Sequence, residues 1–209
     1  MQGKFFITGI GTGIGKTLAS AVLCKALGAE YWKPIQTGAR TDSDSRTVAK
    51  LTGDETIIHP EAYRFSEPLS PHAAAAMEGK EIRLKGLLPP KYGRTLIIEG
   101  AGGILVPLNT QGDTMADLAN HFNAKIIVVS HHYLGSINHT LLTLEAIKQR
   151  NLPLAGIVFS GKELPQTEEI ILEMSGAEKL GTIPHLDKIN KESIAKAALR
   201  FEELSYVNN

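Results

Sequence analysis

The sequence predicts an α/β fold: a mostly parallel central sheet with helices on both faces. Two observations carry this. Apolar runs of strand length alternate with longer stretches of helical period, the order produced when crossover helices join parallel strands. Two of the runs, Leu96-Ile97-Ile98 and Ile126-Ile127-Val128-Val129, are apolar at every position, as strands covered on both faces must be. Strands are expected at 4–8, 30–33, 95–99, 125–130, 154–159 and 179–183. Helices are expected at 16–27, 44–52, 70–77, 113–121, 137–150, 165–174 and 191–204. Residues 53–94 are the least regular part, interrupted by Pro60, Pro68, Pro71, Pro89 and Pro90. No internal repeat, linker or low-complexity segment divides the 209 residues, so one domain spanning 1–209 is expected, large enough for a substantial core.

Composition narrows the function classes. Twenty-two basic residues balance 22 acidic ones, so no overall field draws the chain to nucleic acid or to an anionic membrane. No run is long and apolar enough to span a bilayer, and a strand expected from residue 4 leaves no room for a signal peptide. The lone cysteine, Cys24, falls inside the first helix and reads as a small core residue. A reducing, cytoplasmic setting is expected.

The first strand, around Phe5-Phe6-Ile7, runs into Thr8-Gly9-Ile10-Gly11-Thr12-Gly13-Ile14-Gly15-Lys16-Thr17, and a helical stretch follows. Strand, glycine-rich loop, then Gly-Lys-Thr opening a helix is the layout of a P-loop nucleotide site. Glycines let several backbone N–H groups converge on one anion, and the helix N-terminus adds its positive end. Lys16 is expected on the β- and γ-phosphates and the Thr17 hydroxyl on Mg²⁺. The spacing departs from the common form: the first-glycine slot holds Ile10, flanked by Gly9 and Gly11. The fold expected is therefore that of a single-domain P-loop NTPase.

In such sheets, ligands bind beyond the carboxyl ends of the strands. After the second strand comes Lys33-Pro34-Ile35-Gln36-Thr37-Gly38. There Lys33 either faces the crevice or is a solvated lysine, and Thr37 is either a polar contact or a turn residue. Asp42 and Asp44 precede a helix and read as caps or as a carboxylate for Mg²⁺. Glu99 ends the most apolar strand beside the P-loop, where a Mg²⁺ ligand is needed. Gly100, Ala101, Gly102 and Gly103 then let the chain pass close to a ligand. Ser136 is expected to cap the helix that follows Leu134-Gly135, leaving free N–H groups that could hold a carboxylate. The seven histidines show no metal-ligand spacing; His131-His132 ends a strand.

Taken in order, these residues resemble the dethiobiotin synthetase family. The resemblance is carried by Thr8-Gly9 with Gly15-Lys16-Thr17, Lys33-Pro34 with Thr37-Gly38, Ser43-Asp44, and Glu67-Pro68 with Ser70-Pro71-His72. It continues through Glu99 to Gly103, Leu134-Gly135 with Ile137-Asn138-His139, and Gly181 with Ile183-Pro184. It implies an ATP-dependent ligase of biotin synthesis acting on 7,8-diaminopelargonate and CO₂. By resemblance, Lys33 and Lys16 are catalytic, and Thr17, Asp44 and Glu99 hold Mg²⁺, while Asp42 does not. The nucleotide lies against Gly13, Ile14, Gly15, Lys16, Thr17 and Leu18, against Glu99 to Gly102, and against Ser160, Pro184, His185 and Leu186. The substrate meets Thr12 and Thr37, and Gly135, Ser136, Ile137 and Asn138 of the partner subunit in a homodimer hold its carboxylate.

Two positions depart from the family pattern. Gly13 stands where an acidic residue is common, and Ser160 stands where an asparagine usually reads adenine. A hydroxyl matches a base edge less well than an amide, which offers a donor and an acceptor in fixed geometry. The alternative from another class is a P-loop switch ATPase of the partition or septum-placement type. Its signature lysine, five residues before the main one, is here Gly11.

Overall fold

The computed structural model describes residues 3–40 and 42–201. The chain starts with β1 (Lys4–Gly9), α1 (Lys16–Leu27), β2 (Glu30–Trp32), β3 (Ile35–Gln36) and α2 (Asp44–Thr52). A 3₁₀ turn at Gly53–Glu55 leads to β4 (Ile58–His59), β5 (Tyr63–Arg64) and α3 (Pro71–Met77). Then β6 (Leu96–Gly103), α4 (Met115–His121), β7 (Lys125–His131), α5 (Ser136–Gln149), β8 (Leu154–Gly161), α6 (Pro165–Ser175), β9 (Lys179–Pro184) and α7 (Lys191–Ala198) follow in alternation. Among the described residues, seven strands form one sheet in the order β4-β2-β6-β1-β7-β8-β9, and every neighbouring pair is parallel.

The two-residue period of each strand sorts its side chains between two cores. Phe5, Ile7, Tyr31, Ile97, Ile127, Val129 and Val158 pack with Val22 and Leu23 of α1, Val48 and Leu51 of α2, and Ile194 and Ala197 of α7. Phe6, Leu96, Ile98, Ile126, Val128 and Phe159 pack on the opposite face with Met115 and Leu118 of α4, Leu144 and Ile147 of α5, and Ile171 of α6. Helices therefore cover both faces, and every position of 96–98 and 126–129 is buried. Each such side chain contributes roughly 1.5–3 kcal/mol by leaving water. That burial holds the carboxyl ends of β1, β6, β7 and β8 in fixed register beneath the loops.

The expected strands and helices are found, with ends shifted by a residue or two and β6 reaching on to Gly103. Residues 202–204 of the expected last helix lie outside the described residues, and α7 itself ends at Ala198. Three short strands in or near the irregular region were not expected. β4 extends the main sheet beside β2, and β3 pairs with β5 in a separate two-stranded ribbon. Each is two residues long, too short to show any period. One local expectation is corrected: Ser136 does not cap α5. The cap is Gly135, at φ 101°, a left-handed conformation that costs glycine little and a residue with a Cβ much more. Ser136 is instead buried in the first turn.

Candidate active site

The glycine-rich loop connects β1 to α1 over the middle of the sheet. Gly15 caps α1 at φ 91° without a side-chain bond to the first turn, so the N–H groups there remain free to meet an anion. Ile14 is buried under the loop, and Leu18 sits in the first turn, half-buried. Lys16 is buried, and its ammonium donates to the Gly11 carbonyl at 2.9 Å. Burial, reinforced by the neighbouring Lys33 charge, pulls its pKa down to about 8 against the opposing pull of Glu99 and Asp44. A buried ammonium with so few partners is poised to gain from an anionic ligand.

Glu99 and Asp44 come from different parts of the sequence and meet at Thr17 and Lys33. β6 delivers Glu99, 1% exposed, next to β1. Ser43 caps α2 by accepting from the Arg46 N–H, which sets Asp44 at the helix start, and the Asp44 N–H donates to Gln36 Oε1 at 2.9 Å. Thr17 Oγ1 stands 2.9 Å from Glu99 Oε1 and 3.1 Å from Asp44 Oδ1. Lys33 is 3% exposed, so it is a crevice residue and not a solvated lysine. Its Nζ lies 2.6 Å from Asp44 Oδ2 and 3.0 Å from Glu99 Oε1, and donates to the Gly100 carbonyl at 3.1 Å. Burial disfavours the Lys33 ammonium, but Glu99 and Asp44 outweigh it and raise the pKa. Asp44 shows the reciprocal balance: burial pushes its pKa up, and Lys33 and Thr17 bring it below the ordinary carboxylate value.

Two carboxylates and a hydroxyl converging on one point form a hard oxygen donor set. Mg²⁺ uses such a set when one or two carboxylates and substrate phosphates share it with water. Tyr31, on β2, supports the set from behind by donating to Glu99 Oε2 at 2.9 Å. No spacing in the sequence marks Tyr31 for this role; only the pairing of β2 with β6 brings it there.

These groups open into a cleft of about 510 Å³. Thr12, Gly13, Gly15, Thr37, Ala101 and Gly102 line it, together with Lys16, Thr17, Lys33, Asp44 and Glu99. Gln36, Leu69, Ser70 and Val106 also line it and were not singled out from the sequence as site residues. Asp42 does not line the cleft; its carboxylate accepts from the Ser43 N–H.

Ser160, Pro184, His185 and Leu186 gather elsewhere, at the carboxyl ends of β8 and β9, where Ser160 pairs with Ile183 and Gly161 with Pro184. The Ser160 hydroxyl is buried beneath the loop and donates to the Ile14 carbonyl at 3.3 Å. Gly135, Ser136, Ile137 and Asn138 do not line the cleft of their own chain. They open α5 beside the exposed side chains of Tyr133, Leu134, Ile137 and Leu142. Leu142 also lines a neighbouring groove with Ile10, Leu105 and Val106.

A protein-family profile described as an AAA domain matches residues 3–193. An ATP-dependent dethiobiotin synthetase of Cytophaga hutchinsonii is 50% identical over 199 residues, 94% of this chain and 96% of that one. The same-named protein of Christiangramia forsetii is 44% identical over 209 residues, 98% and 100% of the two chains. That of Brucella anthropi is 44% identical over 198 residues, 94% and 93%. Among solved structures, a plasmid partition protein from Borrelia burgdorferi has a TM-score of 0.62 at 13% identity, with 100% of each chain covered. The septum site-determining protein MinD from Pyrococcus horikoshii, complexed with Mg-ADP, has a TM-score of 0.57 at 16% identity, covering 100% of this chain and 96% of that one. At these identities the partition and septum proteins share the fold alone.

Proposed function

The chain belongs to the family of ATP-dependent dethiobiotin synthetases, and from that premise we propose which of its residues carry the reaction. The enzyme is an ATP-dependent ligase that converts 7,8-diaminopelargonate and CO₂ to dethiobiotin in biotin synthesis. The observation that supports the assignment of roles is the convergence of Lys33, Thr17, Asp44 and Glu99 at the mouth of the glycine-rich loop.

One substrate amine and CO₂ form a carbamate, releasing a proton. A carbamate oxygen attacks the γ-phosphorus, and the bond to the bridging oxygen breaks with its electron pair on ADP. The second amine then attacks the carbamate carbon and closes the cyclic urea. The former carbamate oxygen leaves with phosphate, and a second proton is released. Carbamate and triphosphate are both anionic, so the obstacle is their repulsion. Lys16 meets the β- and γ-phosphates, Lys33 faces the carbamate and the γ-phosphoryl group, and the loop N–H groups align the transfer. Thr17, Asp44 and Glu99 would hold Mg²⁺, which when bound neutralises charge on the β- and γ-phosphates. Thr12 and Thr37, on the cleft wall, position the diamine. The cleft limits water around the acyl phosphate, which hydrolyses readily.

The Gly135 to Asn138 helix start anchors the substrate carboxylate of a partner subunit through its free N–H groups and helix dipole. The exposed apolar side chains beside it support a homodimer with the site at its interface. The whole chain acts as one catalytic domain. Among the described residues no helix is long and apolar enough to cross a membrane, and the lone buried Cys24 fits a cytoplasmic enzyme.

Incubation with diaminopelargonate, bicarbonate and MgATP should yield dethiobiotin by mass, with one ADP per product. ATP hydrolysis without that product would favour the switch ATPase instead.

A further inference from the structure

This inference rests on a nucleoside triphosphate occupying the loop from Gly13 to Thr17. The transferred end of the nucleotide faces Thr17, Glu99 and Lys33, which lie on the β6 and β2 side of β1. The nucleoside must then leave the loop on the opposite side, over the ends of β7 and β8. Two side chains are linked there. His131 is the last residue of β7 and pairs across the sheet with Ser160 of β8. Its Nδ1 lies 3.2 Å from Ser160 Oγ, and Ser160 Oγ lies 3.3 Å from the Ile14 carbonyl within the loop.

The hydrogens along this chain are determined by its end. A carbonyl oxygen only accepts, so the single Ser160 hydroxyl hydrogen goes to Ile14. Ser160 Oγ must then accept from His131, and Nδ1 carries the proton. In a neutral imidazole this leaves Nε2 as a bare acceptor. Nε2 has no hydrogen-bond partner among the described residues, yet it is not among the sealed polar atoms of the interior, so it is open to solvent. The ring lies against Gly161, whose added Cβ would come within 2.9 Å of it. Any other residue at 161 would push the ring aside. Ser160, by contrast, has its donor committed to the loop and cannot offer it to a base.

We propose that His131, not Ser160, reads the nucleobase: Nε2 accepts an N–H from an exocyclic amine on the base edge. The bases favoured are those with an amine at that edge, and those with a carbonyl there are disfavoured because two acceptors would face each other. Ser160 acts as a positioning residue that sets the tautomer of His131.

The test compares ATP with ITP, which differ at that edge in carrying an amine or a carbonyl. Dethiobiotin formation gives kcat/KM for each, and calorimetry without the diamine gives Kd for ADP and IDP. Wild type should favour ATP and ADP by at least about tenfold, the scale of one hydrogen bond gained or opposed. His131→Phe should bring both ratios within about twofold, with the change in KM and not in kcat. A wild type that treats the two bases alike, or a His131→Phe variant that keeps the wild-type ratio, overturns the proposal. A wild type without the preference overturns the proposal even where His131→Phe does not fold, and His131→Leu then serves as the second variant: it should lose the preference in the same way, and a folded His131→Leu that keeps it overturns the proposal. Tighter ADP than IDP binding in a protein that makes no dethiobiotin would uphold the base reading and refute the reaction assigned above.

Discussion

Lys33 and Glu99 form an ion pair of 3.0 Å with both side chains almost fully buried. The pair joins the loop after β2 to the carboxyl end of β6, and Asp44 completes it on the other side of the ammonium. Lys33→Gln should lower kcat at least about 10²-fold, the scale of losing one preorganised charge-stabilising donor. Because the lysine is buried, the change also leaves two carboxylates short of a partner, and stability should fall by on the order of 1–3 kcal/mol. Turnover and denaturant unfolding check the two effects. Near-normal turnover in a folded variant would refute the catalytic role.

Tyr31 touches Glu99 through the oxygen that Thr17 and Lys33 leave free. Burial first, and then the Glu99 charge, hold the phenol pKa well above its ordinary value, so it stays a donor. Tyr31→Phe removes one charge-assisted hydrogen bond and should cost about 1.5–3 kcal/mol of stability. It should lower kcat much less than Lys33→Gln, since no reacting atom loses a contact. An unchanged unfolding midpoint would show that Glu99 is held without it.

Glu168 on α6 joins His132, just after β7, to Lys179 and Thr182 of β9. It lies 3.0 Å from His132 Nε2, 2.5 Å from Lys179 Nζ on β9 and 3.3 Å from the Thr182 hydroxyl. Burial raises its pKa, but Lys179 and His132 outweigh that and bring it below the ordinary 4.5. A carboxylate depressed in the folded state adds stability that is present above its unfolded pKa and is lost as pH falls through the folded one. Glu168→Gln should therefore be less stable than wild type near neutrality, with the difference shrinking as pH drops below about 4.5. Melting curves across pH measure this, and a constant difference would refute it.

The start of α5 tests the dimer. Ser136 is buried, so the probe belongs at exposed Asn138. Asn138→Glu should raise KM for the diamine by charge repulsion and leave ATP binding intact. If the anchor acts in trans, an Asn138→Glu chain mixed with a Lys16→Ala chain should regain activity, because one heterodimer site then has two sound halves. Exchanged subunits that, at diamine well below the raised KM, turn over no faster than either parent would show that each chain builds its own site.

Much of this site is legible in the sequence. Lys16, Thr17, Lys33, Asp44 and Glu99 all follow strand ends or open helices, and parallel-sheet topology brings such positions together. The central strands were legible because burial on both faces leaves unbroken apolar runs. Tyr31 was not legible, since its role depends on β2 lying beside β6, a neighbour 66 residues away in register with it. Nor was the bond from Ser160 to Ile14, which spans 146 positions in sequence. Ser136 misled because a serine before a helical stretch usually caps it, whereas Gly135 supplied the left-handed turn. β3, β4 and β5 are too short to carry a pattern.

The path of one oxygen atom tests the central claim most directly. If a carbamate oxygen attacks the γ-phosphorus in this cleft, that oxygen leaves with phosphate when the ring closes. Turnover in ¹⁸O-labelled bicarbonate and unlabelled water, followed by mass analysis of the phosphate, should find one labelled oxygen per dethiobiotin formed. Phosphate that carries no label while dethiobiotin accumulates would contradict the account, because the γ-phosphoryl group would then have gone to water and not to the carbamate.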